Sequence, residues 1–291
     1  MDYLLLIITA LMWSFVGVLV KFSSTMVNSS VITFCRFFFG VIFLGALLLI
    51  KDRKIIFNWR SKWIWIGAIG KCCNYIFENM AIYMGFAYGN VIVWPVQAIF
   101  LALVSTLYFK EGIYPRKIAA LLLCVVGVIL VSFKGASISA FMESNLTTSV
   151  FFVISAVGAG VYIVSQKKLI QHMDSGNMNF NMFLLSSAIT AVPAPYTFKV
   201  TGDTNIIAVF SLIALGFITG ISFYLNGIVL KRVSLLVAAL VSNSSVIFTL
   251  LWSWIFFKEP INIYIILGSV TFVIGIILVN LPRKIKVSNA T

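Results

Sequence analysis

Ten apolar runs of about 18–25 residues, the length that crosses a bilayer as a helix, are separated by short polar stretches. They cover residues 3–22, 30–50, 63–84, 88–109, 117–133, 148–166, 180–198, 206–230, 235–257 and 262–281. Each predicts a transmembrane helix. The longest connections, near 51–62, 134–147 and 167–179, read as linkers. The run 63–84 differs from the others: it carries Lys71, Asn74, Glu78 and Asn79 in its middle. Lys71, Asn74, Tyr75 and Glu78 fall at i, i+3, i+4 and i+7, which places them on one helical face. Lys71 and Glu78 are two turns apart, roughly 10 Å along the axis, too far to neutralise each other directly.

Composition agrees with the pattern. Hydrophobic residues make up 61% of the chain and charged residues 10%, with a mean hydropathy of +1.08. Soluble domains are nearer half apolar and a quarter charged. The net charge of +13 would point to nucleic acid in a soluble protein, but here the basic residues sit in short loops and report topology. With both termini cytoplasmic, the inside segments hold fifteen Lys and Arg, and the outside segments only Lys134, Lys199 and Lys258. That is the positive-inside pattern of a multi-pass protein of the cell membrane. No nucleic-acid partner follows from it, and membrane lipids are the surroundings. The four cysteines lie in apolar runs, and no spacing with His172 suggests a metal. No cofactor motif is present.

The chain also repeats itself. Phe109-Lys110-Glu111 recurs 148 positions on as Phe257-Lys258-Glu259, and Gly127 and Ile129-Leu130-Val131 recur at the same offset. Near the start of each half, Ile8-Thr9-Ala10 aligns with Ile154-Ser155-Ala156 and Lys21 with Lys167, and at an intermediate offset of 147 Asn79 stands opposite Asn226. The expectation is an all-α membrane protein of two five-helix repeats, residues 1–139 and 140–291. Five is odd, so the second repeat is inverted in the membrane. Inverted repeats are characteristic of secondary transporters, whose site lies at the repeat interface near the midplane.

These features resemble the drug/metabolite transporter superfamily, specifically its ten-helix EamA-type members. The likeness rests on the tandem repeat, on Trp13-Ser14-Phe15-Val16-Gly17 with Lys21, on Arg36, and on the Pro95 to Glu111 pattern echoed by Phe257-Lys258-Glu259-Pro260. One position departs: Asn243 stands where the first repeat has Pro95. The resemblance implies a transporter of small organic metabolites and leaves the substrate open.

Among candidate site residues, Glu78 is the only acidic side chain placed inside a span. It lacks an obvious partner in the sequence, so a proton, water or substrate is expected to compensate it. Lys71 either binds a substrate anion or snorkels to the interface. Arg36 is expected to tie backbone carbonyls or headgroups, and Lys21 and Lys167 to anchor at the interface. Deep aromatics, among them Trp94, Tyr162 and Tyr224, suit a cage for an ammonium group. Gln97 and Asn79 on one side, with Asn226 and Asn243 on the other, complete the expected cavity wall. The reading is a secondary transporter of an amine, quaternary ammonium compound or amino acid, driven by protons or solute exchange at Glu78. The rivals are a flippase for a lipid head group and a membrane scaffold or sensor without transport. An intramembrane enzyme would need a catalytic constellation, and the sequence contains none. Oligomeric state stays open.

Overall fold

In the computed structural model, residues 2–108, 110, 115–229 and 244–280 are described. Among these residues, helices form within the apolar runs; residues 235–243 of the run 235–257 lie outside the described residues. The first run is α1 (Asp2–Ser14) and α2 (Val16–Ser23), interrupted at Phe15. Asn28 accepts from the amide of Val31 at 3.3 Å and so caps α3 (Ser29–Asp52). After α4 (Lys62–Met84), a 3-10 turn (Ala87–Ile92) leads into α5 (Val93–Leu107). Then come α6 (Pro115–Phe133), the short α7 (Ile138–Ser144) and α8 (Leu146–Leu169). Next are α9 (Ser175–Ala191), α10 (Ala194–Thr197) and α11 (Ile206–Val229). The described chain ends with α12 (Ser245–Phe257) and α13 (Ile263–Asn280).

Among the described residues, five stretches are long and apolar enough to cross a membrane: Leu4–Ser23, Ser29–Asp52, Ala87–Leu107, Leu146–Leu169 and Ile206–Val229. The shorter apolar helices are Ile118–Phe133, Ser245–Phe257 and Ile263–Leu278. By composition α4 falls outside both sets, because Lys71, Asn74, Glu78 and Asn79 interrupt it. Three asparagines do the same in α9, which starts at Ser175 rather than at residue 180. There Asp174 caps the helix, accepting from the amide of Asn177 at 3.0 Å. The linker 134–147 also contains the short helix α7.

Hydrogen bonds tie the loops together at two opposite ends. At one, the Asn28 end, Asn28 and Lys199 join their backbones at 3.1 Å beside the bridge between Val27 and Val200. At the other, the Asn177 end, Asn177 Oδ1 accepts from the Ile56 amide at 2.7 Å and Asn181 Oδ1 from the Asn58 amide at 3.0 Å.

Between these ends α4 lies along α8, α6 along α13, and α3 along both α11 and α9. Small residues let the backbones approach. A Cβ on Gly158 would stand 2.6 Å from the Gly70 carbonyl oxygen, and one on Gly220 would stand 2.6 Å from that of Gly40. Gly70 and Gly220 therefore sit at helix crossings.

Candidate functional site

The polar face of α4 is turned into the bundle. Arg36, only 2% exposed, reaches it from α3. Its Nη1 donates to Glu78 Oε2 at 3.2 Å and to Asn79 Oδ1 at 2.8 Å. Asn79 in turn donates to Thr33 Oγ1 on α3 at 2.8 Å. The guanidinium carbon lies 3.5 Å from the centroid of the Tyr75 ring, and the Tyr75 hydroxyl meets Thr219 on α11 at 3.4 Å.

Two expectations are corrected here. Glu78 does have a charged partner, and Arg36 serves a carboxylate rather than carbonyls or headgroups. The cause is the start of α3 at Ser29, which sets Arg36 two turns inside the helix. Nothing in the spacing along the chain brings residues 36 and 78 together; tertiary packing does.

Lys71 does not snorkel. It is 4% exposed, and its Nζ donates to Asn74 Oδ1 at 2.9 Å. Asn74 is held by its own donation to Ser155 Oγ on α8 at 2.8 Å. Three rings surround the ammonium: Tyr75 at 4.2 Å, Phe223 at 4.3 Å and Tyr162 at 4.8 Å. An aromatic cage is thus present, formed by Tyr162 with Tyr75 and Phe223 rather than with Trp94 and Tyr224, and the protein's own lysine fills it. Tyr162 is oriented by a hydroxyl donation to Asn179 Oδ1 at 2.6 Å. Gln166 Nε2 donates to the same oxygen at 2.7 Å.

The remaining predicted residues divide. Trp94 joins the cage wall through Trp13, whose ring lies 5.5 Å from it and 5.7 Å from Phe223. Trp13 is fixed by donating to Ser222 Oγ at 2.7 Å. Gln97, half-buried on α5, lies one turn beyond Trp94. Tyr224 points away from the cage, because its hydroxyl accepts from Lys51 at 2.7 Å and its ring packs against Gly176. Asn226 is half-buried near the end of α11. It is not among the partners of Arg36, Lys71 or Glu78. Asn243 lies outside the described residues.

A second charged cluster lies at the Asn28 end. Lys21 Nζ donates to the carbonyl of Gly85, and to that of Ile82 at 3.4 Å. It is therefore a tie between α2 and the end of α4 rather than an interfacial anchor. Glu259 accepts from the amides of Ala87 at 2.7 Å and Tyr88 at 3.4 Å. Burial pushes the Glu259 carboxyl above its ordinary value, against the pull of these amides and of Lys21. Beside this cluster is a cavity of about 490 Å³ bordered by Gly85, Tyr88 and Lys134. Arg36, Lys71 and Glu78 do not line it.

Comparison with known proteins places this geometry. The sequence profile of the EamA-like transporter family matches residues 1–133 and 146–281. The chain belongs to the EamA-like transporter family. A relative from Archaeoglobus fulgidus, named an uncharacterized transporter, is 21% identical over 286 residues, which cover 96% of this chain and 98% of the relative. A solved crystal structure shares the fold with a TM-score of 0.72 at 18% identity, covering 96% of this chain and 98% of its own. With its apolar helices, this EamA chain is an integral, multi-pass membrane protein and a transporter.

The sequence reading missed Gln166, Asn179, Thr219 and Phe223. The signal for Asn179 was present in Ser175-Gly176-Asn177-Met178-Asn179-Phe180-Asn181, whose alternating asparagines suit a buried helix start better than a linker. Phe223 had none, since one phenylalanine among 26 carries no chemical mark.

Proposed function

We propose that the chain is a secondary transporter that moves a small polar organic metabolite by alternating access between two inverted five-helix halves, residues 1–139 and 140–291. The observation that carries this is the buried cluster of Arg36, Lys71 and Glu78. Ionisable groups inside membrane spans are costly and mark substrate or ion pathways. The cluster draws on α3 and α4 from the first half and on α8, α9 and α11 from the second, which is where a repeat-built transporter holds its cargo.

The packing supports the repeat reading. α4 lies against α8, while α11, the counterpart of α4, lies against α1 and α2, the counterparts of α8. α6 lies against its own counterpart, α13. The termini are cytoplasmic in this reading, and the membrane is that of the cell. Of the cargo classes raised by the sequence, an amino acid fits better than a simple amine, because Glu78 is already matched by Arg36. Drive comes from a proton or an exchanged solute, and Glu78 is the candidate proton carrier.

Counterflow in proteoliposomes loaded with amines, amino acids, carboxylic acids or nucleosides tests the reading. Saturable exchange of one class by wild type, reduced at least tenfold in Glu78→Gln, is the expected result. Exchange of no class at any internal concentration would sink it.

A further inference from the structure

The charges in the central cluster do not balance. Arg36 and Glu78 form the ion pair, at 3.2 Å, and among the described residues no acidic side chain lies within ion-pair distance of Lys71. Lys71 makes one hydrogen bond, to the neutral amide of Asn74, and otherwise faces rings. Rings attract an ammonium through their quadrupoles but leave its unit charge in place. The Nε of Arg36 is likewise buried with no hydrogen-bond partner. Both cationic groups stand over one ring, that of Tyr75, at 3.5 Å and 4.2 Å from its centroid.

From this excess we infer that the cargo carries a carboxylate, taken up by the Lys71 ammonium with the Arg36 Nε–H as a second donor. The inference rests on the transporter reading and narrows it. A cargo with a positive group alone would add a third cation to a cluster that already holds two against one carboxylate. An anion neutralises the excess, and the charge-assisted hydrogen bonds it forms are the strong class. The aromatic cage then orients the lysine, and the part of the cargo beyond its carboxylate contacts Trp13 and Trp94.

The test uses matched triplets that differ only in the charged group. They are phenylalanine, phenethylamine and 3-phenylpropionate; leucine, isoamylamine and 4-methylpentanoate; and alanine, ethylamine and propionate. Thermal unfolding of the detergent-purified full chain is followed against each compound for wild type, Lys71→Met and Lys71→Gln. A ligand that binds the native state raises the melting temperature with its concentration. The amino acid or acid of at least one triplet is expected to stabilise wild type, and the matching amine is not. Both Lys71 variants are expected to weaken that binding by about ten- to a hundredfold, the range of a hydrogen bond to a charged group. Amines that stabilise wild type as well as the acids do overturn the inference while leaving the transporter reading intact. So do acids that bind both variants with undiminished affinity. The wild-type comparison decides even where a variant fails to fold. If no triplet member shifts wild type, the inference falls; if in addition no compound class exchanges in proteoliposomes, the secondary-transport reading falls with it.

Discussion

Arg36 and Lys21 are both basic side chains turned into the bundle, and they are satisfied in opposite ways. Arg36 finds a side-chain carboxylate and a side-chain amide in the middle of α4. Lys21 finds backbone carbonyls at the end of that helix, while Glu259 takes up backbone amides on the other side of the same loop. The last carbonyls of a helix have no partner within it, and neither do the first amides of the next. Lys21 and Glu259 therefore complete secondary structure that would otherwise be left open, a role that ends once it is filled. The central cluster completes no helix end. It keeps an ammonium without an anion and a guanidinium nitrogen without an acceptor. Charge that exceeds what the fold needs is the mark of a site.

The largest effect that would break this contrast is at Arg36. Arg36→Met leaves the Glu78 carboxylate buried alone and is expected to cost about 3–5 kcal/mol, read as a lower unfolding temperature in detergent. Arg36→Met with Glu78→Met should recover most of that loss. A double variant as unstable as the single one would show that the pair is not the source. At the clasp, Lys21→Met strands the Gly85 carbonyl and should cost about 1–3 kcal/mol. Lys71→Met should be neutral or stabilising by the same measurement, since it removes a buried charge that has no counter-ion. A loss at Lys71 equal to that at Lys21 would erase the distinction between site and clasp. Glu259→Gln keeps an acceptor but not its charge, and about 1 kcal/mol is expected.

An effect of similar size is expected at Asp174, in the loop before α9. Burial pushes its carboxyl up, but the amides and side chain that donate to it prevail, from Asn177 foremost, and hold it below the ordinary 3.8. Its folded value is depressed, so its contribution is present above the unfolded value and is lost as pH falls through the folded one. The gap in melting temperature between wild type and Asp174→Ala should be full at neutral pH, where a helix cap is worth about 1 kcal/mol. Below the unfolded value it should shrink.

The helix pattern was legible in the chain because the bilayer imposes a length and a polarity on every span. So was the anomaly in α4: Lys71 and Glu78 interrupt an apolar run, and no packing is needed to see that. The pairing was not legible. Arg36 and Glu78 lie on different helices, and only the crossing of α3 with α4 brings them to 3.2 Å. Phe223 and Thr219 entered the site for the same reason, as apolar or small residues whose neighbours alone give them a role. Asn179 was hidden differently, because its asparagine-rich surroundings look like a loop until Asp174 is recognised as a helix cap.

The glycine crossings bear on rate. Where α4 meets α8, the Gly70 carbonyl faces Gly158, and where α3 meets α11, Gly40 faces Gly220. Backbone meets backbone there, with Val161 packed at Gly70 and Thr219 at Gly40. In the proposed alternation, halves that slide along such seams move small side chains past backbone, so the seams offer little resistance. The activation barrier then concentrates in the ties between the halves at the two ends, among them Asn28 to Lys199 and Asn177 to Ile56. Turnover would be limited by how often an end lets go, not by friction between the helices.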